Sequence, residues 1–376
     1  MKKLVILSAD EIILYQPTIL NLYEYLSTRF EVSIITFEPE YLGKVKDLSK
    51  PITYIQPSPF KKRFYRTTDL LLNAVAKRVN KYLFRFSRRS IYYRKYMSTL
   101  LSAKTGDHSA DIFIAVDPMP LYVLQQKGIA AHFLSLEILP GDPFMKQIDP
   151  QLVSSVIIQS KERYRILFGD KNIPVFYIQN APMLKCKAIN EGKRQGLVWA
   201  GTVVEEFAVL DCFNLVAAYP QYAIVCKGAV EAKTKTIIEK NYASLLASGK
   251  IDLDREYLDA QAYTKFLSGF RIGFCFYKWE LIRNNINYAT APSGKLFMYL
   301  AAGVPVIAAN ISAFKFLEEY GAGVLVDDYS PETLHKAIEK IEANFTAYSN
   351  NCYRAFEENC FDKNAGRFLD LLRSGD

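Results

Sequence analysis

Pro292-Ser293-Gly294-Lys295-Leu296-Phe297-Met298-Tyr299-Leu300-Ala301-Ala302-Gly303-Val304-Pro305-Val306-Ile307-Ala308 reads as a helix marked at both ends and followed by a buried strand. Ser293 is a good N-cap type, Gly303 suits the C′ position and Pro305 bars continuation. The spacing therefore predicts about three helical turns from Ser293. Lys295 then falls in the first turn, where a cation opposes the helix macrodipole at a cost of up to about 1 kcal/mol. An anion bound to the free amides and the ammonium together removes that conflict. The alternative, on this stretch alone, is a lysine that snorkels to water.

Outward from this stretch, apolar β-branched runs alternate with helix-length amphipathic stretches over almost the whole chain. Strands are predicted over 3–8, 32–37, 53–56, 111–116, 131–136, 155–159 and 175–178, then over 196–200, 223–226, 251–253, 273–276, 304–308 and 323–326. Helices are predicted over 17–28, 161–168, 210–218, 233–247, 260–268, 295–302 and 331–343, with one or two more within 66–103. Such alternation is the signature of parallel sheets with crossover helices. Residues 183–195 are polar, lysine-rich and glycine-containing, as a linker should be. The expected fold is α/β, two tandem Rossmann-like doubly wound domains over 1–185 and 193–348. Ligands of such sheets bind outside the carboxyl ends of the strands, so the loops after Ala200, after Cys226 and before Ser293 should carry function.

Half of the 376 residues are hydrophobic, ample for two cores. The apolar start 4–7 is too short for a secretory segment and no run of eighteen apolar residues occurs, so a cytoplasmic protein is expected. Six cysteines show no Cys-x-x-Cys spacing and no histidine partners, which predicts reduced packing residues and neither a zinc site nor disulfides. Charge is uneven. Residues 59–104 hold thirteen Lys or Arg and one acid, Asp69, leaving 34 basic against 38 acidic residues elsewhere. The net +8 thus belongs to this segment, which also carries Phe64, Tyr65, Tyr82, Phe84, Phe86, Tyr92, Tyr93 and Tyr96. Cations interleaved with aromatics suit an anionic membrane surface, at about 1 kcal/mol per cation near the lipid. A solvated helical face is the plainer alternative. Nucleic acid also suits the charge, but no readout motif accompanies it and no nucleic-acid partner is expected.

Val198-Trp-Ala-Gly-Thr202 at the start of the second domain and Ser293-x-Lys295-Leu-Phe-x-Tyr-x-Ala-Ala-Gly303-x-Pro305 near its end resemble the GT-B glycosyltransferases. Within that fold the chain is most similar to the large bacterial polysaccharide and lipopolysaccharide group, glycosyltransferase family 4-like. The resemblance implies that the C-terminal domain binds a nucleotide-sugar and the N-terminal domain an acceptor. It also implies that residues 349–376 form a helix returning to the first domain. The implied activity is transfer of a sugar to a membrane-associated, lipid-linked glycan in surface-polysaccharide assembly, on the cytoplasmic face of the membrane. No metal and no cofactor beyond the donor substrate are implied. Two departures stand out. The group's two glutamates, eight positions apart, correspond to Thr290 and Met298, and its glycine-rich turn after the first strand is replaced by residues 8–16. A non-catalytic sugar-nucleotide or glycan-binding protein of the same fold is the alternative.

Candidate donor-site residues follow from strand ends. At Gly201 a missing Cβ lets a diphosphate approach the backbone, and the Thr202 hydroxyl can donate to it. Lys227 and Gly228 hold the equivalent place after the next strand, Lys227 as a contact for nucleotide phosphates or base. Tyr257 is a candidate to pack on a base or ribose, and Ser293, Gly294 and Lys295 form the helix-start anion site. In the first domain Asp117 and Glu137 end adjacent strands facing the inter-domain cleft, and either carboxylate could act as general base on an acceptor hydroxyl. His132, inside an apolar strand, is expected to be a core histidine. Asp252-Leu253-Asp254 imitates a metal motif that this context does not support.

Overall fold

The computed structural model describes residues 1–9, 16–38, 50–79, 91–106, 110–139, 141–190 and 192–374. Arg88, Arg89 and most of the stretch 8–16 lie outside them. The chain divides into two compact units, one of residues 1–177 with 367–376 and the other of residues 178–366.

The first unit is built on seven strands, β1 (Lys3–Ser8), β2 (Glu31–Phe37), β3 (Ile52–Ile55), β4 (Ile112–Val116), β5 (Ala131–Leu134), β6 (Val153–Ile158) and β7 (Val175–Tyr177). All pair in parallel, in the order β3-β2-β1-β4-β5-β6-β7. Crossover helices bury both sheet faces, which is why Leu4, Val5, Ile6 and Leu7 are all buried and read as one apolar run. Strand order reverses between β1 and β4, so this is the sheet's switch point. β5 stops at Leu134, short of the expected 136, and Glu137 stands in the loop beyond it. The basic segment supplies two described helices, Pro59–Val79 and Ile91–Gly106.

The second unit repeats the plan with β8 (Leu197–Ala200), β9 (Ile224–Lys227), β10 (Ile251–Asp254), β11 (Ile272–Cys275), β12 (Val306–Ala309) and β13 (Gly323–Val326). These are again parallel, in the order β10-β9-β8-β11-β12-β13, with the switch point between β8 and β11. That pair is short, ending at Phe274↔Trp199. Beyond it the buried Tyr299 hydroxyl accepts from the Ala200 N–H (2.6 Å) and lies 3.2 Å from both the Val198 and Phe274 carbonyls. Gly273 makes room for the ring, since a Cβ there would sit 2.6 Å from it.

The stretch expected as a linker is fixed onto the second unit. The Ala188 N–H donates to the Ala301 carbonyl, and Arg194 donates to the Gly303 carbonyl and the Tyr353 hydroxyl. The helix expected over 349–376 is two helices, Phe345–Asn359 and Phe361–Ser374, broken at Cys360. From residue 367 the last one belongs to the first unit, where Phe368 meets His132 and Phe176 edge-on at 5.3 and 5.4 Å.

Candidate functional site

The carboxyl edge of the second sheet carries the helix Gly294–Ala301, eight residues and so shorter than the three turns expected. Gly303 takes the left-handed C′ conformation (φ 65°) that stops it. Ser293 has the extended backbone of an N-cap, but its hydroxyl makes no capping bond. It faces Cys275 and Tyr277 instead. No acidic residue occupies the first turn. The helix start thus keeps its positive end without a cap from Ser293 or an acid of its own first turn.

Lys295 folds back from this first turn. Its ammonium lies 4.1 Å from the centre of the Trp199 ring, 5.4 Å from Phe207 and 5.6 Å from Tyr277. The residue as a whole keeps some surface, but the rings enclose the charged end, and burial pulls its pKa below the ordinary lysine value. No carboxylate pairs with it among the described residues. Cation–π contacts return about 0.5–2 kcal/mol, against a desolvation penalty of several kcal/mol for an ammonium. An anion seated at the helix start would supply the missing counter-charge. A hollow of about 580 Å³ on the same edge is lined by Trp279, Arg283, Asn310 and Tyr329 among others, and Tyr329 donates to the Tyr277 carbonyl at 2.8 Å.

Other expected donor-site residues have partners of their own. The Gly201 N–H is shared between the Lys227 carbonyl (2.9 Å) and the Tyr263 hydroxyl (3.1 Å), which in turn donates to that carbonyl. Gly228 packs so closely on this loop that a Cβ would lie 2.3 Å from the Gly201 oxygen. Lys227 is fully buried. Its ammonium donates to Asp254 at 2.6 Å, lies 3.7 Å from Glu256 and sits over the Phe266 ring. That bond holds the Asp254 carboxyl below its ordinary range. Lys227 is therefore a neutralised internal lysine, and the Asp252-Leu253-Asp254 pattern supplies its partner. Thr202 is exposed, and its carbonyl accepts from the Trp199 indole N–H, which links it to the ring facing Lys295. Tyr257, by contrast, stands in solvent, 86% exposed. Thr290 bonds its own helix at the Ile286 carbonyl, and Met298 is half-buried, so neither glutamate position is refilled by an acid.

In the first unit Asp117 follows the last residue of β4 at the switch point and precedes the helix Pro118–Gln125. Its φ of 63° and ψ of 172° fall in a region occupied essentially by glycine, a strain of about 1–3 kcal/mol. One carboxylate oxygen accepts from the Leu136 and Glu137 amides at 2.9 and 3.2 Å, pinning the loop on which exposed Glu137 stands. Beneath it Arg163, with no surface exposure, donates to the Leu136 carbonyl at 3.0 Å. Burial lowers its pKa to about 10, opposed by the charges of Asp117 and Glu137, so it is cationic at neutral pH. The Ser135 hydroxyl is buried beside it without a partner among the described residues. His132 is a core histidine: Nδ1 lies 2.8 Å from the Ser155 hydroxyl, and burial lowers its pKa to about 4. Sequence reasoning missed Arg163, Tyr299, Tyr263 and the aromatic cage. Only Trp199 and Tyr277, aromatics at or just past strand ends, offered a signal.

No protein-family model matches the chain, and no curated protein sequence does. Solved structures do. Sucrose-phosphate synthase from Thermosynechococcus elongatus superposes with a TM-score of 0.69 at 13% identity, covering 100% of this chain and 99% of that one. The E. coli trehalose-6-phosphate structure bound with UDP-2-fluoro glucose gives 0.68 at 12%, covering 98% of each. Trehalose 6-phosphate synthase from Burkholderia multivorans gives 0.65 at 12%, covering 100% and 99%. At such identities the likeness speaks for architecture, and the architecture of this chain is the GT-B glycosyltransferase fold.

Proposed function

We propose that the protein is a glycosyltransferase that takes a sugar from a nucleoside-diphosphate donor. The observation that carries this is Lys295, a caged cation with no carboxylate partner among the described residues, at a helix start that the Ser293 side chain does not cap, on the switch-point edge of the second sheet. A diphosphate there would meet helix amides and ammonium together. As the glycosyl bond breaks, charge grows on the leaving diphosphate, and preorganised donors at that point lower the barrier. Lys295 and the amides would then do work that a divalent ion does elsewhere. UDP-sugars are the first donors to test, since one structural neighbour was bound with UDP-2-fluoro glucose.

For the acceptor, the proposal is a lipid-linked glycan of bacterial surface-polysaccharide assembly, handled on the cytoplasmic face of the membrane; the net charge of the basic segment supports it. Glu137 is the proposed general base, and Asp117 the positioning residue that fixes its loop. Calorimetry with UDP, GDP and their sugars, with and without EDTA, tests donor binding, and chromatography of the products tests transfer. Micromolar diphosphate binding that survives EDTA supports the proposal, and no binding to any diphosphate refutes it. Binding without transfer or hydrolysis favours the non-catalytic alternative, to which Thr290 and Met298 lend weight.

A further inference from the structure

Over residues 59–71 the helix Pro59–Val79 buries charged side chains and leaves large apolar ones exposed. Towards the helix Ile91–Gly106 it turns Lys62, Tyr65, Arg66 and Asp69. Lys62 and Arg66 lie 5.9 and 4.8 Å from the Tyr93 ring, Tyr65 stacks on Tyr96 at 4.9 Å, and Asp69 accepts from the Tyr93 amide at 2.9 Å. Lys62 and Asp69 are buried. Outward go Phe60, Arg63, Phe64, Thr67, Leu70 and Leu71, a stripe spaced at three and four residues. Phe60 is 81% exposed, Phe64 58%, Leu70 70% and Leu71 63%. Lys61 and Arg63, also exposed, flank the two phenylalanines.

We infer that this stripe is a docking surface for an anionic lipid bilayer. An outward apolar ridge bordered by cations is what an interfacial helix presents, apolar side chains entering the acyl boundary while basic ones meet headgroups. Charge complementarity names the occupant. The segment holds thirteen cations against one acid. Among the described residues Lys62, Arg66 and Arg94 are turned inward, but Lys61, Arg63, Lys95 and Lys104 are exposed while the one acid, Asp69, is buried, so no carboxylate of the segment opposes lipid phosphate there. Among the described residues no helix is long and apolar enough to cross a membrane, so docking would be lateral. The inference stands independently of donor chemistry, and it names the residues that touch the lipid.

The test is co-sedimentation of the full chain with phosphatidylcholine vesicles and with mixed phosphatidylcholine–phosphatidylglycerol vesicles. Binding should require the anionic lipid and weaken with salt. Lys61→Gln with Arg63→Gln should lower partitioning about fivefold per cation. The triple variant Phe60→Ser, Phe64→Ser, Leu71→Ser should lose it about tenfold or more. Both sets lie on the exposed face, so melting temperature and diphosphate affinity should match wild type; if the triple variant fails to fold, the paired glutamine variant still decides. Equal binding to neutral vesicles, or unchanged binding by the variants, overturns the inference. Stronger salt-sensitive binding to duplex DNA or RNA would reassign the surface to nucleic acid, and loss of a wild-type dimer without loss of lipid binding would reassign the ridge to self-association.

Discussion

Replacing Lys295 by methionine should move stability and affinity in opposite directions. Methionine keeps the unbranched stem and packs well on aromatic rings. In the free protein the substitution removes a desolvated ammonium that has no carboxylate partner among the described residues. The loss is its attraction to Trp199, Phe207 and Tyr277, at most about 2 kcal/mol, set against a desolvation penalty of several. The melting temperature of the ligand-free variant should therefore stay level or rise. With a diphosphate bound, one charge-assisted contact disappears, worth about 1.5–3 kcal/mol, so the dissociation constant should rise roughly 10- to 150-fold. Calorimetry with UDP and thermal unfolding without ligand give both numbers. Burial lowers the Lys295 pKa in the free protein, and a bound anion raises it again. Wild-type affinity should then be full while the free lysine is protonated and decline as pH climbs past that lowered value, and Lys295→Met should abolish this slope. A variant with lower stability and unchanged UDP affinity would show that the lysine is there for packing, and the donor-site assignment would fall with it.

Glu137→Gln should cost turnover 10²-fold or more with donor affinity retained, whereas Asp117→Asn, which still offers an oxygen to the Leu136 and Glu137 amides, should cost less; near-wild-type turnover in a folded Glu137→Gln variant removes it as the base. Tyr299→Phe should leave the Ala200 N–H buried without its acceptor, a loss of about 1–3 kcal/mol. It would appear as a melting temperature lowered by about 2–4 °C per kcal/mol. His132 takes up its proton near pH 6.5 when unfolded but only near pH 4 when folded. Stability of the first unit should thus be full above pH 6.5 and fall by about 3 kcal/mol at most as pH drops to 4; urea titrations of His132→Gln across that range should lack this component.

Much of the architecture was legible because parallel strands buried on both faces cannot hide: Leu4 to Leu7, or Val306 to Ala309, carry no polar residue to break the run. The helix at Lys295 was legible for a local reason, its bounds being written in Ser293, Gly303 and Pro305. What stayed hidden depends on register and on distance in sequence. Lys227 looked like a free cation at a strand end until β9 and β10 paired it with Asp254, its direct neighbour across the two strands. The cage around Lys295 joins residues 199, 207 and 277, which no local pattern connects. Glu137 left its strand because β5 ends at Leu134, where Asp117 draws the following amides onto its carboxylate. In the basic segment the charge was plain, but only packing shows that Lys62, Arg66 and Asp69 turn inward while Phe60, Phe64, Leu70 and Leu71 stay exposed.

All six cysteines lie in the second unit, and all are buried thiols outside any disulfide. Desolvation holds the thiols of Cys212, Cys226 and Cys352 well above their ordinary range, raises that of Cys275, and pushes that of Cys360 to about 11. Alkylating reagents attack the thiolate, so the folded chain should behave towards them almost as if it had no cysteine. Each opening of the second unit, and no event confined to the first, would release reactive sulfur. Colour development with a disulfide reagent is then a clock for one half of the molecule, slowed by any ligand that the second unit holds. A cysteine placed at the solvent-exposed position of Tyr257 would accept a single dye in an otherwise silent background.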